Sequence, residues 1–100
     1  MSMKDVLFHQ RTRDAYWIED PGHAWLAIRV QAFPWSTDYG TGFGYRSPGW
    51  IYLEEDLEAP RFLEAHPELD GPSLPVVLFR DYESPVRRFR RNEDRLEVGA

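Results

Sequence analysis

Four carboxylates crowd one short run of this chain: Glu54, Glu55, Asp56 and Glu58 in "YLEEDLE", residues 52–58. Carboxylates so grouped can hold a divalent cation through oxygen or divide acid and base roles between them. His23 could join them. It lies in the turn "EDPGH" beside Glu19 and Asp20, where a carboxylate favours the charged imidazole and suits it to proton transfer near neutral pH. One reading is therefore a small enzyme or metal-dependent hydrolase built on His23, Asp20, Glu54, Glu55 and Asp56. It requires His23 to come within hydrogen-bond or ligand reach of the acids. Plainer readings are favoured. Successive strand residues face opposite ways, which separates Glu54 from Glu55. Helix capping and a solvated surface account for the acids, and His23 can serve its own turn through a hydrogen bond.

Other chemistries find little support. The chain has no cysteine, which excludes thiol nucleophiles, disulfides and zinc–thiolate sites. His9, His23 and His66 show no helical zinc spacing, and no G-x-S-x-G elbow surrounds any serine. No cofactor or metal is expected, and an enzyme is disfavoured. Gly40, Gly42 and Gly44 in "YGTGFGYRSPGWIYL" lack the spacing of a dinucleotide fingerprint, and a turn and strand follow them rather than a helix. A structural reason for these glycines is favoured over phosphate binding.

The elements that must position these groups are short. "YWI" at 16–18 and "WLAIRV" at 25–30 predict two strands. Pro21-Gly22 between them supplies a type II turn with φ > 0 at Gly22 and a loop longer than a tight hairpin. The glycine run predicts a third strand that turns at Ser47-Pro48-Gly49 and returns as "WIYLEED". A three-residue turn sets Tyr45 opposite Ile51 and Phe43 opposite Leu53 on the core face. Gly44 then lies opposite Tyr52, and Arg46 opposite Trp50, on the outer face, where aromatic rings cover the bare glycines. Asp56 caps a short helix whose stripe is Ala59, Phe62, Leu63 and His66. "PVVLFRDY" suits a central strand. In "VRRFRRN" alternation places Arg88 and Arg90 on one face, as edge protection or as a contact surface.

"DPGHAWL" at 20–26 and "YLEEDLEAPRFLEA" at 52–65, together 21 of 100 residues, resemble a group of small bacterial proteins without assigned activity, common on phages and plasmids. These carry a D-P-G-H-x-W turn and a Y-L-E-E-D run before a short helix. Where a cysteine often follows that run in the group, this chain has Leu57. The resemblance implies a small α+β fold, a mobile-element setting and action by binding another protein, such as a host defence complex.

One hundred residues with 42% apolar and 15% aromatic content predict a single α+β domain over 1–100. Its sheet is mostly antiparallel, with four to six strands and one short helix, and residues 1–5 and 95–100 are expected to fray. The net charge of −5 disfavours nucleic-acid binding, and no apolar run reaches the roughly 20 residues that span a bilayer. A cytoplasmic location is expected. The leading expectation is a non-enzymatic protein-binding protein using an aromatic and arginine surface: Trp35, Arg46, Trp50, Tyr52, Arg88 and Arg90. Homodimerisation through that face is a variant. Mimicry of nucleic acid by the acidic middle segment is a third reading.

Overall fold

Residues 3–40, 43–69, 74–80 and 83–91 are described by a computed structural model. Among the described residues six strands form one sheet: β1 (Ala15–Glu19), β2 (Ala24–Arg29), β3 (Tyr45–Ser47), β4 (Trp50–Glu54), β5 (Val76–Leu78) and β6 (Arg90–Arg91). Their order is β5-β1-β2-β4-β3-β6, and β1 with β5 is the parallel pair among otherwise antiparallel neighbours. Helices α1 (Met3–Thr12) and α2 (Ala59–Ala65) complete a small α+β fold. Among the described residues no helix is long and apolar enough to cross a membrane.

The sheet is buried on both faces, which explains the near-continuous burial of its central strands β2 and β4. Tyr16, Ile18, Trp25, Ala27, Trp50 and Tyr52 pack on one side with Val6 of α1 and Val86. Leu26, Ile28, Ile51 and Leu53 pack on the other with Ala59 and Phe62 of α2. The helical stripe is as expected: Ala59 and Phe62 are buried, and Leu63 and His66 half-buried.

Helix α1 was not foreseen, and it begins at Met3, inside the stretch expected to fray. Of its described side chains, Val6 alone is a buried apolar one, while Leu7 and Phe8 are exposed. Its C-terminal end is held instead by polar contacts from the sheet. Arg29 of β2 donates to the carbonyls of Gln10 and Arg13 and pairs with Asp14 at 3.0 Å. A cation there satisfies orphan carbonyls and opposes the helix dipole. The same guanidinium sits 4.7 Å from the Trp50 ring centroid. Gln10 donates to the Tyr52 hydroxyl at 2.9 Å, and Ser47 Oγ lies 2.7 Å from that hydroxyl. Burial raises the Tyr52 phenol to about 12, against the opposing effect of these two hydrogen bonds. Arg29→Ala is expected to cost about 1–3 kcal/mol and to lower helicity, read by urea denaturation and far-ultraviolet circular dichroism. Arg29→Lys should recover only part, because an ammonium lacks the planar fork.

Several local expectations are corrected. The third strand is only three residues, and Tyr45 lies opposite Tyr52, Arg46 opposite Ile51 and Ser47 opposite Trp50. The connection is thus the two-residue Pro48-Gly49, with Gly49 at φ +80° as the second position of a type II turn demands. That one-residue slip exchanges faces, so Trp50 and Tyr52 point into a core. Gly22 has no positive φ, because a different device holds its turn. The Asp20 carboxylate accepts from the Gly22 and His23 N–H groups, both at 3.0 Å. Asp56 does not cap α2. The preceding residue is Glu58, which makes no side-chain cap.

The apolar run at 76–78 is an edge strand rather than a central one, and Val76 is exposed. The arginine segment is not a continuous strand. Ser84 Oγ accepts from the Val86 N–H with Pro85 next in line, so residues Pro85–Arg88 take a 3₁₀ turn. Of its described residues, Arg90–Arg91 pairs with β3, as the opposite edge of the sheet.

Candidate functional site

Asp20 organises one end of the sheet. Its side chain is fully buried, and its Oδ2 accepts from Arg87 Nε at 2.8 Å and from the Ser84 N–H at 2.9 Å. Oδ1 accepts from Arg87 Nη2 at 2.9 Å in addition to the two turn amides. Burial alone would raise this carboxyl. The Arg87 bonds and the three backbone amides outweigh it and hold the group far below the usual carboxylate range. A side chain at Gly22 would meet the guanidinium, since an added Cβ would lie 2.7 Å from Arg87 Nη2. The bare glycine leaves room for the pair.

Glu54 organises the neighbouring corner. It is the last residue of β4, and it is buried. Its Oε2 accepts from the Asp56 and Leu57 N–H groups at 2.9 and 3.0 Å, while Glu58 Oε1 accepts from the Glu54 N–H at 3.0 Å. These reciprocal bonds fold residues 54–58 into the turn that launches α2. His23 Nδ1 lies 3.7 Å from Glu54 Oε1. His23 and Glu54, far apart in sequence, are brought together because β2 pairs with β4, with Trp25 opposite Glu54.

Between these two corners opens a cleft of about 560 Å³. Trp25 and Tyr45 line it, in edge-to-face contact at 6.1 Å. Phe43 and Leu57 line it too, 56% and 49% exposed. Its polar lining is His23, Glu54, Asp56 and Arg87. His23 lies 5.9 Å from the Trp25 ring, and the Arg87 guanidinium sits 5.4 Å from the same ring. The Trp25 Nε1–H is buried and has no hydrogen-bond partner among the described residues.

The candidate hydrolytic residues are therefore divided. His23, Glu54 and Asp56 share the cleft, whereas Asp20 is not in its lining and is committed to Arg87. Glu54, Glu55 and Asp56 do converge, with one carboxylate oxygen of each within 4.8 Å of the others. Strand alternation does not separate them because β4 ends at Glu54. Partial desolvation, then the charges of Asp56, Glu54 and Glu19, push the Glu55 carboxyl up, while His23 opposes them. One of Glu54's oxygens is already the acceptor of its turn, and His23 Nδ1, at 3.7 Å from Glu54 Oε1, is beyond a direct hydrogen bond. The grouping is first a folding device.

The expected aromatic and arginine surface is dispersed. Trp50 and Tyr52 are 5% and 0% exposed, so they cannot serve a partner or a homodimer directly. Arg46 borders a small crevice of about 160 Å³ with Ser47 and Trp50. Trp35 stands 60% exposed on a 3₁₀ turn (Pro34–Tyr39), and Arg88 is exposed. Arg90 is backbone-paired with Arg46. The cleft residues Phe43, Tyr45, Trp25, Leu57 and Arg87 were missed. Leu57, an apolar residue inside an acidic run, was the signal that could have pointed there. Comparison with protein-family models, curated proteins and solved structures finds no match for this chain.

Proposed function

We propose that this protein is a non-enzymatic recognition domain whose contact site is the cleft between the His23 turn and the Glu54–Leu57 turn. The observation that carries this reading is the half-exposure of Phe43 and Leu57 at a cavity lined by Trp25 and Tyr45. Large apolar side chains so placed leave area to be covered, and aromatic walls beside a few fixed polar groups are what a binding pocket requires. Resemblance to phage- and plasmid-borne proteins would make the partner a host protein, met in the cytoplasm.

Variants separate this site from the rest of the surface. Leu57→Asp should change stability by no more than about 0.5 kcal/mol and weaken partner capture by roughly tenfold or more. Trp35→Ala and Arg88→Ala should leave capture intact. Capture that survives Leu57→Asp but is lost with Trp35→Ala would move the site to the 3₁₀ turn.

The 3.7 Å approach of His23 to Glu54 favours a second reading, acid–base hydrolysis at the same cleft. It predicts turnover of an activated ester, such as p-nitrophenyl acetate, that His23→Gln abolishes. Turnover equal in the two proteins would end it. Mimicry of nucleic acid has less to work with, since Glu54 and Glu58 are buried.

A further inference from the structure

The geometry points to a basic side chain, lysine or arginine in a peptide segment of a protein partner, as the occupant of this cleft. The inference rests on the reading of the cleft as a recognition site and adds the chemistry of what it takes. Glu54 and Asp56 line the cavity, and Glu55 joins them with an oxygen of each within 4.8 Å of the others. Glu19 adds a fourth negative charge close enough to bear on Glu55. The cations of the lining do not cancel these. Arg87 is neutralised by its two-pronged bond to Asp20, which lies outside the cavity lining. His23 is half-exposed and 3.7 Å from Glu54, so its charge, when present, offsets one carboxylate at most. The cleft therefore carries a negative excess beside apolar walls.

A long aliphatic stem ending in a cation matches that division. The methylenes would lie along Phe43 and Leu57, whose exposed surface they would cover, while the head reaches the carboxylates at the turn. A second, independent observation concerns Trp25. Its ring is 2% exposed, yet its Nε1–H has no acceptor among the described residues, an unusual state for a buried indole. A peptide brings backbone carbonyls with its basic side chain, and a shift of the Trp25 ring, which lines the cavity, would let one of them accept from this sealed donor. A free cation alone would not supply one. An anionic or purely apolar ligand would meet the carboxylates unfavourably, or leave them unpaired beneath it.

The test follows the indole N–H resonances of the ¹⁵N-labelled full-length protein. The probes are Nα-acetyl-arginine amide, Nα-acetyl-lysine amide and, as controls, the glutamate and glutamine counterparts, raised to tens of millimolar. The expected result is a saturable shift of the Trp25 indole signal with the two basic probes and none with glutamate. Affinity should fall roughly two- to fivefold in a Glu55→Gln, Asp56→Asn double variant and about tenfold or more in Asp56→Lys. Both positions are exposed, so these variants are expected to fold, which an unchanged melting temperature verifies. Equal shifts from glutamate and arginine probes, or no Trp25 shift with any probe, would overturn the inference. If Leu57→Asp still abolishes partner capture in that event, the recognition site stands and only its charge preference is wrong. If Leu57→Asp has no effect on capture, the cleft reading fails at its root.

Discussion

Replacing Asp20 by alanine is expected to cost about 3–5 kcal/mol, the range for breaking a buried ion pair. Five donors converge on this one carboxylate: two from Arg87 and the backbone N–H groups of Gly22, His23 and Ser84. Removing the acceptor leaves three amides and a guanidinium without their partner, so the loss exceeds that of one hydrogen bond. It also unties the β1–β2 turn from the C-terminal segment, and with it two sides of the cleft. For a domain whose whole stability is about 5–15 kcal/mol, this is a large fraction of the total. Urea denaturation measures it, and a double-mutant cycle with Arg87→Ala isolates the pairwise part.

The same group gives a pH signature. The folded carboxyl is held well below its usual range by hydrogen bonds that overcome burial, so the charged form is the one the fold prefers. Its stabilisation is full above the unfolded-state value of about 3.9 and is lost as pH falls toward the lower folded value. The difference in unfolding free energy between the native chain and Asp20→Ala should be constant above about pH 5 and shrink below about pH 4. A difference independent of pH down to acid unfolding would show that the charge contributes nothing.

The second large effect belongs to the opposite face. Phe62 of α2 is fully buried. It meets Phe33 at 5.8 Å and Tyr39 at 5.4 Å edge-on, and stacks on His66 at 4.5 Å. Those partners come from the stretch after β2 and from the end of α2 itself, so one ring joins the short helix to the 3₁₀ turn. Phe62→Ala is expected to cost about 3–5 kcal/mol, the lost transfer free energy plus a cavity that a seven-residue helix cannot close. Trp35 sits on that same 3₁₀ turn but faces solvent, and Trp35→Ala should stay within about 0.5 kcal/mol. The contrast separates a core aromatic from a surface one by calorimetry of two variants.

The legible parts of the fold were those with strong periodicity. "YWI", "WLAIRV" and "WIYLE" carry β-branched and aromatic residues and form β1, β2 and β4, and the stripe of α2 is plain at i, i+3, i+4 and i+7. Helix α1 was illegible because its anchoring comes from Arg29 and Tyr52, distant in sequence, and from a single valine. The β3–β4 register was misread by one residue at the Pro48-Gly49 turn. That slip exchanged Trp50 and Tyr52 with Ile51 and Leu53 and displaced the expected binding face. A one-sided sheet was the deeper assumption, and a sheet covered on both sides leaves no outer aromatic face to use.

At the site, His23 and the acids were recognisable as residue types, but their meeting depends on β2 pairing with β4 in a register that local pattern cannot specify. The convergence of Glu54 and Glu55 was discounted by alternation, which stops applying where the strand does. Phe43, Leu57 and Tyr45 needed the whole topology before they could be seen as neighbours. The position of Asp20 shows the reverse case. As a neighbour of His23 it was a disfavoured catalytic candidate, and its geometry makes it a tether.

The cleft as contact site is tested most directly by placing a photo-crosslinker in it. p-Benzoylphenylalanine at Leu57, at Phe43 or at Trp35 gives three full-length proteins of matched exposure, irradiated in the same host extract. Crosslinking of one common partner from positions 57 and 43, and not from 35, is the expected result. A partner trapped from position 35 alone would contradict the account and assign recognition to the opposite side of the sheet.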